Sequence, residues 1–304
     1  MQKRIRELRI WLIPSTILAI LTIALPYFII RHHTIYTTVY VYYALMFFYI
    51  VLRSKDFFVF KPSKTFDKVT TIITWIVSVP VFMFLGLTGF LIVSLPVKNI
   101  IYKVMWTISV VIVFIFGIRL KIEGEISKRQ VIVTPNHCSG IDDALNAIIM
   151  AWFKWKVVFA EEVKRIFLAS FFLKYVGVPI NRQDENSRKM VFRKIFKVID
   201  EGYNLLIYPE GRRLPADKED DQYLLDFEDG AFALSKAKAI PIQPVVISWT
   251  YLFKPRSGQW WYSPRTITIY YLEPMTIHPG EEVGDFKERV RLVMLEVLEK
   301  SITA

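Results

Sequence analysis

Residues 131–143 read Val131-Ile132-Val133-Thr134-Pro135-Asn136-His137-Cys138-Ser139-Gly140-Ile141-Asp142-Asp143. The opening apolar run has strand character, and the residues after Gly140 lead into a stretch with helical spacing. His137 and Asp142 therefore fall on a strand-to-helix turn. On a regular helix two residues five apart point well away from each other around the axis. In a turn, with Gly140 permitting an unusual backbone angle, the carboxylate can fold back onto an imidazole nitrogen. A carboxylate so placed orients a general base and stabilises its charged form. The bland alternative is a histidine that caps the following helix.

From Arg119 onward, strand and helix signals alternate. Strands are predicted at Leu120–Glu123, Val131–Thr134, Lys156–Ala160, Val178–Asn181, Asn204–Tyr208, Ile242–Trp249 and Thr266–Leu272. Helices are predicted at Asp142–Phe153, Lys164–Tyr175, Ser187–Glu201, Gly230–Lys238 and Asp285–Ser301. Gly202 stands where a helix-ending glycine belongs. This order predicts an α/β sheet domain over residues 119–304, large enough to bury one core. The acidic run Ala216–Asp221 reads as a solvated loop.

Upstream the texture is apolar. Uncharged stretches run Ile10–Ile30, Thr34–Leu52, Val69–Val97 and Val104–Ile118, and about 20 apolar residues suffice to cross a bilayer. Hydrophobic residues make up 53% of the chain, and mean hydropathy is positive, which is high for a water-soluble domain. Residues 1–118 carry 12 Lys/Arg against 3 Asp/Glu, whereas residues 119–304 carry 27 against 25. The positive excess thus belongs to the apolar part, where it suits cytoplasmic anchoring and anionic headgroups rather than nucleic acid. Lys3, Arg4, Arg6 and Arg9 precede the first stretch, and Arg53, Lys55, Lys61, Lys64 and Lys68 follow the second, so both flanks are expected on the cytoplasmic side. Residues 1–68 are then a transmembrane hairpin with a basic linker, and residues 69–118 a two-helix segment that spans or re-enters. The fourth stretch is short for a full crossing, and the bland alternative to a membrane helix there is a core helix of a soluble domain. No charge interrupts the stretches to mark a transport path.

Cys138 is the single cysteine, which excludes an intrachain disulfide and a multi-cysteine metal site. With four histidines, two of them (His32 and His33) between apolar stretches, a zinc site has few ligands to recruit, and no metal is expected.

Three further segments carry chemistry-compatible residues. Val178-Pro179-Ile180-Asn181-Arg182 ends a strand on an arginine, and Tyr208-Pro209-Glu210-Gly211-Arg212-Arg213 ends the next with a carboxylate, a glycine and two arginines. Ile240-Pro241-Ile242-Gln243-Pro244-Val245 opens a later strand with two prolines. Ligands of α/β sheets collect beyond the carboxyl ends of strands. Arg182 and Arg213 are thus placed to bind an anion, and a guanidinium fork suits a phosphate.

In this order the four blocks resemble the glycerolipid acyltransferase family typified by 1-acylglycerol-3-phosphate acyltransferase. Asn136, His137, Ser139 and Asp142 match its Asn-His-x-x-x-x-Asp block, and Arg182 matches the arginine of the second. Pro209, Glu210, Gly211 and Arg213 match its Phe-Pro-Glu-Gly-Thr-Arg block, with Tyr208 in place of phenylalanine and Arg212 in place of threonine. Pro241 and Pro244 match the fourth. The resemblance implies a membrane-anchored α/β acyltransferase domain on the cytoplasmic face of a bacterial inner membrane or an organelle membrane. It implies His137 as general base, Asp142 as its orienting partner, and Arg182, Glu210, Gly211 and Arg213 around the acceptor. No cofactor is implied; acyl-CoA or acyl carrier protein would be the donor substrate, and a lysophospholipid, foremost lysophosphatidic acid, the acceptor. Glu161, Glu162, Glu228 and Asp229 are acids where relatives often carry basic residues, which leaves another lysolipid acceptor open. A non-catalytic lipid-binding relative, and Cys138 as an acyl-carrying nucleophile, are the rival readings.

Overall fold

The computed structural model describes residues 68–69, 71–72, 74–76, 100–150, 153–165, 173–181, 185–215, 223–248 and 266–303. The first two apolar stretches, most of the third and the basic residues flanking them, Lys68 apart, lie outside the described residues. So do Arg182, the acidic run 216–221 and most of the predicted helix Lys164–Tyr175.

Seven strands form one sheet: β1 Arg119–Glu123, β2 Ile132–Pro135, β3 Trp155–Ala160, β4 Gly177–Ile180, β5 Asn204–Leu206, β6 Ile242–Ile247 and β7 Thr266–Tyr271. Their spatial order is β1-β7-β6-β2-β5-β3-β4. All neighbours are parallel except β6 and β7, which are antiparallel. The helices are α1 Ile100–Ile115, α2 Ile141–Met150, α3 Glu185–Asp200, α4 Gly230–Lys238 and α5 Val283–Thr303.

Alternation along the strands sends side chains to two cores. Val131, Val133, Leu206, Val245 and Ile247 face α1 and α2 on one side. Ile132, Leu205, Ile242 and Val246 face α3, α4 and α5 on the other. The result is three layers, with a sheet buried on both faces, and this is why its strands read as continuous apolar runs. Phe232 of α4 meets Phe286 of α5 edge-on at 5.7 Å and 87°, a preferred aromatic geometry.

α2 is buried along nearly its whole length, because α1 covers the side that the sheet does not. The fourth apolar stretch is thus a 16-residue helix whose Val110, Val113, Phe114 and Ile115 pack inward. Among the described residues no helix is long and apolar enough to cross a membrane. Gly202 ends α3 as expected, with φ 79° and its N–H on the Ile199 carbonyl.

β2 lies at the centre, and the chain leaves it toward β3 on one side but leaves β5 toward β6 on the other. The connections after β2 and β5 therefore diverge and open a crevice beyond their carboxyl ends.

Candidate active site

Pro135 ends β2 and Asn136 continues it by imitation. The Asn136 side chain accepts the Ile247 N–H at 2.7 Å and donates to the Ile247 carbonyl at 3.1 Å, so an amide side chain extends the pairing with β6. His137 follows at the sheet edge.

The Asp142 carboxylate turns back across the loop. Its Oδ2 lies 3.1 Å from His137 Nδ1 and accepts the backbone N–H groups of Cys138 and Ser139, each at 2.7 Å. Asp142 is fully buried, while the His137 side chain keeps 12% of its surface exposed. Three polar contacts on one oxygen fix the carboxylate in place. Its other oxygen, Oδ1, has no hydrogen-bond partner among the described residues. With Nδ1 committed to Asp142, Nε2 is the nitrogen left for an incoming substrate. Gly140 does not take the unusual backbone angle expected of it, since it is absent from the positive-φ glycines. The two amide bonds to Asp142 shape the turn instead. What Gly140 supplies is an open side: a methyl group there would lie 3.6 Å from Arg213 Nη1.

The loop after β5 grips this turn from the other side. Glu210 is buried, and its carboxylate accepts the N–H of His137 at 2.7 Å through Oε1 and that of Leu225 at 3.0 Å through Oε2. Leu214 in turn donates its N–H to the His137 carbonyl at 2.9 Å. Both main-chain groups of His137 are thereby held by one loop. Burial raises the Glu210 carboxyl to about 7, against the lowering effect of the two backbone N–H groups. Gly211 adopts φ 68°, a left-handed conformation, and closes a turn onto the Tyr208 carbonyl at 3.1 Å. Arg213 is exposed above Gly140, beside the His137–Asp142 turn. Arg212 is exposed as well.

The structure thus brings together His137, Asp142, Glu210, Gly211 and Arg213. Arg182 lies outside the described residues. Two of the acids that bore on the acceptor hold lysines: Glu161 pairs with Lys164 at 2.6 Å, and Asp229 with Lys287 of α5 at 2.6 Å.

Tyr208, Asp143 and Asn146, to which the motif reading gave no role, also belong to the site. The Tyr208 ring stacks on the His137 ring with centroids 3.9 Å apart and planes at 17°. Its hydroxyl donates to Asp143 Oδ1 at 2.7 Å and accepts from Asn146 Nδ2 at 3.1 Å. The only sequence signal was a tyrosine standing where the family pattern has phenylalanine.

Comparison with known proteins bears on the fold and the family. Residues 118–248 match the Acyltransferase family. The chain is 25% identical over 193 residues to the 1-acyl-sn-glycerol-3-phosphate acyltransferase of Saccharomyces cerevisiae, which covers 60% of this chain. The chain spans 61% of the length of that yeast relative. The fold is shared with the crystal structure of the 1-acyl-sn-glycerophosphate acyltransferase PlsC from Thermotoga maritima, at a TM-score of 0.62 and 20% identity, covering 79% of this chain and 98% of that one. Residues 118–248 therefore match an acyltransferase domain, and the chain is similar in sequence to a 1-acyl-sn-glycerol-3-phosphate acyltransferase and in fold to PlsC.

Proposed function

We propose that this chain is a membrane-bound O-acyltransferase that moves a fatty acyl group from a thioester to the free hydroxyl of a lysoglycerophospholipid, foremost lysophosphatidic acid, giving phosphatidic acid. The observation that carries this reading is the His137 Nδ1 to Asp142 Oδ2 contact of 3.1 Å at the carboxyl end of the central strand. Nε2 of His137 takes the proton of the acceptor hydroxyl as its oxygen attacks the thioester carbonyl. Asp142 holds the tautomer and stabilises the imidazolium. The tetrahedral oxyanion collapses, the carbon–sulfur bond breaks, and the thiolate of coenzyme A or acyl carrier protein leaves with the proton that His137 held. In this reading Arg213 and Arg182 take the acceptor phosphate, while Glu210 and Gly211 set the loop that presents Arg213.

Membrane attachment has its own support. Val69, Ile72, Trp75 and Ile76 are each exposed over roughly half their surface, whereas Thr71 and Thr74 are buried. That reverses the pattern of a water-facing helix and suits contact with acyl chains. The basic flanks of the preceding apolar stretches support a site on the cytoplasmic face of a bacterial inner membrane or an organelle membrane.

The decisive experiment is a turnover assay of the purified full chain with labelled acyl-CoA or acyl carrier protein and a panel of lysolipids, products being identified by mass spectrometry. Phosphatidic acid from lysophosphatidic acid, abolished in His137→Ala, is the expected result. Turnover confined to a phosphate-free acceptor would exclude lysophosphatidic acid as substrate. Equal silence of wild type and His137→Ala with every pair would favour a lipid-binding role.

A further inference from the structure

Asp142 and Asp143 are successive carboxylates at the start of α2, but their surroundings differ. Asp142 is sealed against the loop amides, while Asp143 is exposed on the crevice side. A second carboxylate so near an imidazole is a competitor, because either acid could attract the charged ring. Arg213 and the buried Glu210 are the other charged groups around His137.

Tyr208 resolves this competition geometrically. It leaves β5 on the loop that clamps His137, and its ring lies flat on the imidazole at 3.9 Å. A stacked plane opposes rotation of the histidine ring, which keeps Nδ1 on Asp142 and Nε2 available. The hydroxyl reaches past the histidine to Asp143 Oδ1 and is itself held by Asn146, one helical turn further along α2. Burial and the adjacent Asp143 push the phenol well above its usual range, so it stays a proton donor to that carboxylate. We propose that Tyr208 and Asp143 are a coupled positioning pair: the Tyr208 ring fixes the plane of His137, and its hydroxyl holds the Asp143 carboxylate away so that Asp142 alone partners Nδ1. Neither residue touches the reacting atoms. This inference rests on the proposed role of His137 as general base.

Coupling is measured by a double-mutant cycle on the purified full chain, with kcat and the two KM values read for wild type, Y208F, D143A and the double variant. Y208F keeps the stacked ring and frees the Asp143 carboxylate; kcat falls about tenfold while both KM values stay within about twofold. In the D143A background the same tyrosine change costs less than about twofold, since nothing remains to be held away. Equal losses in both backgrounds, or no loss in Y208F, overturn the pair. Thermal unfolding of each variant separates this from misfolding, because a folding defect would appear in both backgrounds. A second readout does not depend on turnover: nitrogen-15 NMR of the His137 ring, identified by its loss in His137→Gln. Wild type shows the Nδ1-protonated tautomer, and Y208F shows it mixed with the other form. An unchanged tautomer in Y208F overturns the pair. If wild type turns over no lysolipid while the tautomer responds as stated, the function reading fails and the pair stands.

Discussion

Glu210 and His137 meet through main chain rather than side chain: the buried carboxylate accepts the histidine's backbone N–H at 2.7 Å, and its second oxygen does the same for Leu225. Replacing Glu210 by alanine leaves two N–H groups near the core without an acceptor. Each orphan costs about 1–3 kcal/mol, so the variant should unfold several degrees lower in a thermal melt.

The same residue sets a slope of stability with pH. A carboxyl at about 7 when folded, against 4.5 when free, binds a proton more readily in the native state. Its contribution is therefore fully present below about pH 4.5 and is lost as pH rises through about 7, on the order of 3 kcal/mol in all. Urea midpoints across this window should fall in wild type and stay flatter in Glu210→Ala after allowance for its lower baseline.

Removing the imidazole tests the chemistry alone. His137→Ala should lower kcat by about 100- to 10,000-fold, the usual contribution of general base catalysis, with little change in melting temperature. Steady-state kinetics beside calorimetry on the same preparation would show the separation.

At Asp142 shape and charge can be taken apart. Asp142→Asn can keep the loop amides paired but loses the charge that stabilises an imidazolium, so kcat should drop by about 100-fold or more. Asp142→Ala also strands the N–H groups of Cys138 and Ser139, and its melting temperature should fall where that of the asparagine variant does not.

Arg213 sits above Gly140 with its guanidinium exposed. Arg213→Gln should raise KM for lysophosphatidic acid about 10- to 100-fold, the worth of a charge-assisted hydrogen bond pair, and leave KM for the acyl donor within about twofold. A matching rise for both substrates would assign the arginine to the loop rather than to the phosphate.

Much of this was legible in the residues. All seven strands appear within two residues of their expected ends, because a sheet buried on both faces demands apolar runs bounded by turn residues. The His137–Asp142 contact was legible too, since a five-residue spacing across a strand-to-helix turn leaves few other arrangements. Strand order and the antiparallel β6–β7 pair were not, because register between segments distant in sequence is decided by packing. The same limit hid Asp143: its significance depends on Tyr208, 65 residues away, whose hydroxyl arrives only once β5 lies beside β2. Gly140 was misjudged for a local reason. Side-chain acceptance of two amides bends the turn without a left-handed residue.

The covering of α2 by α1 has a practical corollary. A fragment trimmed to begin at residue 118 would strip the shelter from Ile141, Leu145 and Ile148, on the very helix that carries Asp142. Such a fragment would tend to clump and lose its grip on the histidine, so α1 cannot be treated as part of a detachable tether. Anyone seeking a smaller, easily handled version must retain α1 or repaint the surface that it hides.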